Sequence, residues 1–543
     1  MIKHKHRLGL PVVLLVLCSA AQGQKFRKDD PIWQDNDRQP ITQPATVDEL
    51  SAYVDFLENT FGHKPENPVP RAENINTLGE VPDSSWFTNR MSRRLMTIEE
   101  LVKGPAGRFG PDLSKPWVIE GGKTQGITPG FRVRDAKGDL YFIKFDPKGY
   151  PQLATSTEVI CTRFFYAFGY NVPENYLVRI RREDVTIGPK AIITDENGLK
   201  RNWTEDDVDR IFEKVSVDAE GTVQVVASYR LEGAIVGPFK YWGTRSDDPN
   251  DVFPHENRRE LRGLRLFAAW LNHDDSRSIN TKDTFIKQGE LGYVRHHLFD
   301  FGSCLGSGSV RIQSRRAGNE YMLEWSPILK ATLSLGIWDR RWRYIDYPDN
   351  PSIGRFEADY FRPEQWRPEY PNPAFQNMQN EDAFWACKII ARFTDDMVRA
   401  IVKTGELKDP AAEEYLIQTL IKRRDKIVRH YLTRMSPLAD FELASRSARS
   451  TLRFSNLGET YGLGKADSYE YQWSSFENRT GAMKPLGAQE VVATPELLVP
   501  RTEGGDYLAV ALQTHSQSHK GWSKPVTVYL APSPLRVVGI ERE

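Results

Sequence analysis

The run NRRELRGLRLFAAWLN, residues 257–272, leads without a break into HDDSRSIN and then into two strand-like stretches, and this succession restricts the fold more than any other part of the chain. Leu261, Leu264, Ala268 and Leu271 recur at helical spacing, so the run predicts an amphipathic helix with one buried face. TFIK and GYVRHHLFD, joined through Gln288-Gly289, read as a β-hairpin. An antiparallel hairpin returns its two outer ends to the same edge, so Asn280 before the first strand and Asp300 after the second should lie side by side. Asp275 precedes Asn280 in the spacing D-x-x-x-x-N, and the hairpin closes on Asp300-Phe301-Gly302. Two oxygen ligands at one point suit Mg²⁺, which takes a few protein oxygens and leaves the rest of its shell to water and phosphate.

Upstream, PWVIEGG, GFRVRDA and LYFIKFD predict three antiparallel strands. The helix ATSTEVICTRFFYAFGY follows, ending at Gly169 with Pro173 just beyond. Lys144 sits in the third strand. Glu158 is the one charge in the helical stripe Ala154, Glu158, Cys161, Phe165, Phe168. A buried carboxylate is costly unless a cation meets it, and Lys144 is the candidate cation. Two plainer readings stand beside this one: Thr155 to Glu158 fits a helix capping box, and Lys144 could be an ordinary exposed strand lysine.

Lys, then Glu, then D-x-x-x-x-N, then DFG, in that order over roughly residues 115–435, resembles the protein-kinase-like superfamily. It is most similar to the atypical branch with HipA-type, spore-coat CotH, secretory-pathway and lipid kinases. The resemblance implies an α+β, two-lobed fold and use of ATP with Mg²⁺ or Mn²⁺. It also implies roles: Lys144 holds the donor phosphates, Glu158 positions Lys144, Asp275 accepts or orients the acceptor hydroxyl, and Asn280 and Asp300 bind metal.

Several positions depart from that pattern. EGGKTQGITPG lies between the first two strands without G-x-G-x-x-G; Gly121, Gly122 and Gly126 either let backbone amides approach phosphates or simply turn the chain. GGKT imitates the end of a Walker A motif, but its first glycine would fall at Trp117, which excludes that reading. His273 is expected to be structural. Asp274 stands where regulated kinases carry Arg, and no APE follows the DFG, so control by loop phosphorylation is not expected. His296 and His297 are adjacent in a strand and point to opposite faces, which disfavours a shared metal.

The rest of the chain sets the context. Lys3, Lys5 and Arg7 precede LGLPVVLLVL, and Ala21 and Gly23 are small, so residues 1–23 read as a signal peptide cleaved after Gly23. The apolar run is shorter than the roughly 20 residues a membrane anchor needs, and Cys18 follows Leu17 rather than a small residue, as a lipidated cysteine would not. No later segment reads as a span, so the expectation is an exported chain, periplasmic or extracellular, without a membrane anchor. Charge is balanced at 73 basic and 73 acidic residues, which gives no field to attract nucleic acid. Cys161, Cys304 and Cys387 lack zinc spacing and read as packing residues, with one disulfide the alternative.

Beyond the signal, the expected units are an N-terminal wrapping extension (24–108), a kinase-like N-lobe (109–180), an insertion or hinge (181–256), a helical C-lobe (257–435) and a β-sandwich-like domain (436–543). The extension contains one amphipathic stretch with Leu50, Val54, Leu57 and Phe61 on one face. The expected function is an exported kinase acting on a hydroxyl of a protein, glycan or lipid. AMP transfer on the same fold is one alternative; a catalytically silent pseudokinase serving as an envelope scaffold is another.

Overall fold

The computed structural model describes residues 24–47, 50–122, 130–194, 199–335, 337–446, 449–501 and 507–543. The expected signal peptide and Gly126 lie outside them. Strands β1 (Trp117–Gly122), β2 (Gly130–Arg134) and β3 (Leu140–Phe145) are antiparallel neighbours, as their alternating patterns predict. In β3, Tyr141, Ile143 and Phe145 enter the core of the small lobe. The period of two therefore turns Leu140, Phe142 and Lys144 to the other face of the sheet.

Residues 181–256 are not an insertion beside the small lobe. With β4 (Asn175–Ile180), they complete its sheet through β5 (Val185–Thr194), β6 (Lys200–Asn202) and β7 (Val223–Tyr229), in the order β4-β7-β3-β2-β1-β5-β6. The strand β7 lies between β3 and β4, and β5 runs parallel to β1. Trp203, Val208 and Val215 from the same region cover the core face. The last strand of this stretch, β8 (Ala234–Gly237), belongs elsewhere: it flanks the predicted hairpin, β9 (Thr281–Gln288) and β10 (Leu291–Leu298). The hairpin turns through Gly289, whose φ of +68° favours a residue without a side chain.

Helix α1 (Ala52–Leu57) lies in the N-terminal segment and α2 (Leu153–Phe168) between β3 and β4. The apolar side chains of α2, Phe164, Phe165 and Phe168 among them, join the core of the large helical lobe. There they meet Phe267 and Trp270 of α3 (Arg259–Leu271), the helix predicted from residues 257–272. Helices Asn380–Ala391, Asp395–Lys403 and Pro410–Leu432 complete that lobe, and α4 (Trp325–Leu333) stands on its surface. Residues 24–108 run irregularly over the molecule: Phe26 packs with Phe476 and Tyr529, and Trp86 stacks on His296 at 3.5 Å. From Leu438 onward, antiparallel sheets close on a main apolar core, and a smaller cluster forms around Phe26, Phe476 and Tyr529. The architecture is two-lobed α+β followed by an all-β region.

Candidate active site

Lys144, Glu158 and Asp300 form one cluster. Lys144 Nζ donates to Glu158 Oε2 at 3.0 Å and to Asp300 Oδ1 at 2.9 Å. Glu158 is 1% exposed, so its charge is offset locally: besides Lys144, Asn175 Nδ2 donates to its Oε1 at 3.1 Å. Burial pushes the Lys144 ammonium down, but the Asp300 and Glu158 carboxylates outweigh it and hold the pKa above the ordinary lysine range.

The capping-box alternative for Glu158 does not hold, because α2 begins at Leu153 and its first turn is capped from outside. Asp146, directly after β3, accepts from the amides of Gln152, Ala154 and Thr155 and from the Thr155 hydroxyl. Burial raises its pKa to about 6 despite those donors. This single carboxylate ties the end of the Lys144 strand to the start of the Glu158 helix.

On the other side, the hairpin works as expected. Leu298 pairs with Thr281, and the Phe299 amide donates to the Asn280 carbonyl at 3.2 Å, which sets Asn280 and Asp300 at the same end of the ribbon. Asn280 Nδ2 donates to the carbonyl of Asp275 at 2.8 Å, leaving Oδ1 as its side-chain acceptor. Asp300 holds φ at +66°, a left-handed conformation uncommon for a residue with a side chain. Phe301, next in the chain, is fully buried against Phe165 of α2 in a 4.6 Å stack and lies 5.8 Å from His273. Packing of Phe301 thus holds Asp300 toward Lys144.

Asp275 forms an ion pair with Arg277, which in turn meets Glu369 at 3.1 Å. Burial raises Asp275 to about 6, against the opposing pull of Arg277. Neighbouring Asp274 is raised further, to about 8, by burial and then by Asp275 and Glu369. His273 is buried, bonds Ser276 through Nδ1 at 2.7 Å, and is pushed by burial down to about 4, so it is neutral.

Gly121 and Gly122 are strand residues of β1 rather than loop residues. A Cβ on Gly121 would meet the end of the Arg132 side chain at 2.7 Å and the Ile192 carbonyl of β5 at 3.3 Å. His296 bonds Asp283 at 2.7 Å and His297 the Lys282 carbonyl at 3.2 Å, a structural use of each ring. Among the described residues, no group of three or more His, Cys, Asp or Glu side chains is placed to hold a metal. Cys161, Cys304 and Cys387 are free and buried.

Sequence reasoning missed Asp146, Asn175, Arg277 and Glu369. Arg277 lies inside the motif and is readable as a partner for Asp275; Asp146 caps α2 from outside the usual N-cap position, and Asn175 and Glu369 reach their partners from other elements.

No family model matches the chain, and no curated protein matches it. Among solved structures it is similar to the Helicobacter pylori proinflammatory kinase CtkA, at 14% identity over 56% of this chain and 91% of that one, with a TM-score of 0.31. It is also similar to the Golgi casein kinase, at 9% identity over 74% and 94%, with a TM-score of 0.30.

Proposed function

We propose that the protein is an exported, atypical kinase that transfers a phosphoryl group from ATP to an acceptor hydroxyl with Mg²⁺ or Mn²⁺. The observation that carries this reading is Lys144 held between Glu158 of α2 and Asp300 at the hairpin end. Phosphoryl transfer has a highly charged transition state, and its catalysis is largely positioning and neutralisation.

The residues fit such a pair of ligands. Two carboxylates against one ammonium leave an excess negative charge beside the Asn280 amide, a donor set suited to a hard divalent cation that keeps water and phosphate in its shell. When bound, the cation neutralises phosphate charge. Lys144 binds the donor phosphates, Glu158 keeps the ammonium charged and in place, and Asp146 fixes the spacing between their two elements. Asp275, with a pKa near 6, is ionised at neutral pH and can accept the proton of a hydroxyl. Arg277 orients that carboxylate.

Incubation with γ-labelled ATP, Mn²⁺ and an envelope extract tests the reading: label should enter an acceptor with the wild type and fail to do so with Asp275→Asn. Transfer from α-labelled ATP instead would assign AMP transfer, and no transfer from either donor would favour the scaffold.

A further inference from the structure

Two helices beside the candidate site are turned the wrong way for a protein that works free in water. In α1 and the helical turn that continues it, Glu58–Gly62, the buried side chains are polar: Asp55 is fully buried and Asn59 nearly so. Tyr370 O–H donates to Asp55 Oδ2 at 2.5 Å, and Asn59 Nδ2 donates to Asp55 Oδ1 at 2.8 Å. The predicted apolar stripe faces outward instead, with Val54, Leu57 and Phe61 exposed beside Tyr53 at 83%. Helix α4 buries none of its residues. Leu333 is 83% exposed, Leu335 92% and Ile337 91%.

The two elements are tied to adjacent residues, the segment before α4 to Glu369 and α1 to Tyr370. The Met322 amide, three residues before α4, donates to the Glu369 carbonyl at 2.6 Å. On the other side, Phe56 of α1 packs edge-on against Tyr370 at 5.6 Å. The Glu369 carboxylate meets Arg277, the partner of Asp275. The elements that carry the two apolar faces are therefore joined, through Glu369, Tyr370 and Arg277, to the residue placed to receive the acceptor.

The chemistry of α4 and its continuation selects the occupant. Residues 325–344 hold three Trp, one Tyr and four cations against one carboxylate, Asp339. Arg340 pairs with Glu320 and Arg343 with Asp339, both at 2.9 Å. Lys330, which lies 5.7 Å from the Trp338 ring, and Arg341 supply the outward charge. Aromatic rings and cations among exposed Leu and Ile form the composition of a membrane interface. A second copy docked symmetrically would set this cationic segment against itself. No helix among the described residues is long and apolar enough to cross a bilayer, so contact is with the surface.

We propose that α1 and the α4 segment seat the protein on an anionic lipid bilayer and that the acceptor hydroxyl belongs to a lipid headgroup. The second half rests on the kinase reading; the first does not. Co-sedimentation of the full chain with phosphatidylglycerol-phosphatidylcholine vesicles, against phosphatidylcholine alone, tests the seating. Binding should be at least tenfold tighter to the anionic vesicles and weaken with salt. Leu333→Asp with Ile337→Asp, and separately Leu57→Asp with Phe61→Asp, should each weaken it at least tenfold with unchanged melting temperature, since the sites are exposed. Asp300→Asn should bind vesicles as the wild type does, which separates seating from catalysis. Absent vesicle binding, equal binding by the variants, or loss of self-association or of a protein partner in the variants without any vesicle binding would overturn the proposal. Label entering soluble acceptors but no lipid would overturn its second half.

Discussion

Lys144 and Asp300, 156 positions apart in sequence, meet at 2.9 Å across the boundary between the small sheet and the helical lobe. That contact, with Glu158 on the opposite side of the ammonium, joins three elements whose sequence patterns are separately unremarkable. Glu158 is buried, so removing Lys144 leaves a buried carboxylate without its cation.

Lys144→Met should therefore destabilise the protein by ~3–5 kcal/mol, the cost of leaving a buried carboxylate unpaired. Adding Glu158→Gln should recover at least half of that loss, while both variants stay inactive. Urea denaturation of the two single variants and the double variant measures the coupling.

Asp275→Asn should lower the turnover rate by ~10²–10⁴-fold, the usual weight of a positioned proton acceptor, without weakening nucleotide binding. In the wild type the carboxylate must be ionised to accept a proton. The rate should thus fall as pH drops through about 6 and be flat above it. A pH series of initial rates, paired with nucleotide titrations of the variant, reads both effects.

Asp274 links stability to pH in the opposite sense from a paired carboxylate. Its folded pKa, about 8, lies above the ordinary 3.8, so the stability its neutral form contributes is complete below pH about 4 and is lost as pH rises through about 8. Asp274→Asn should be more stable than the wild type at pH 9 by ~1–3 kcal/mol, with no advantage at pH 4. Thermal unfolding at the two pH values checks the sign.

Asp146→Ala should cost ~1–2 kcal/mol through loss of the α2 cap. Because the cap also sets the distance from β3 to α2, the variant should raise the KM for nucleotide more than it lowers turnover. Steady-state kinetics against ATP separate this from a general loss of folded protein.

How much of this was legible in the sequence depended on how far each signal reached. The hairpin from Thr281 to Leu298, the DFG and the D-x-x-x-x-N spacing are local, and their geometry follows from turn and strand rules alone. Lys144 and Glu158 were readable because a lone charge in an apolar stripe demands a partner. The central place of β7 was not, since its neighbours β3 and β4 are chosen by long-range pairing and the surrounding loops look like an insertion. In α1 the pattern identified which residues share a face but not which face meets the protein; Asp55, held by Tyr370 from 315 positions away, decided that. Asp146 escaped notice because it caps α2 from outside the usual N-cap position.

On the proposed function, Asp300 and its neighbours receive a metal-bound nucleotide. Thermal-shift titration with ATP, with and without Mn²⁺, on the wild type and Asp300→Asn tests it most directly. The wild type should gain stability from ATP only when Mn²⁺ is present, and the variant should gain none. Equal shifts in both proteins, or no metal-dependent shift in the wild type, would contradict it.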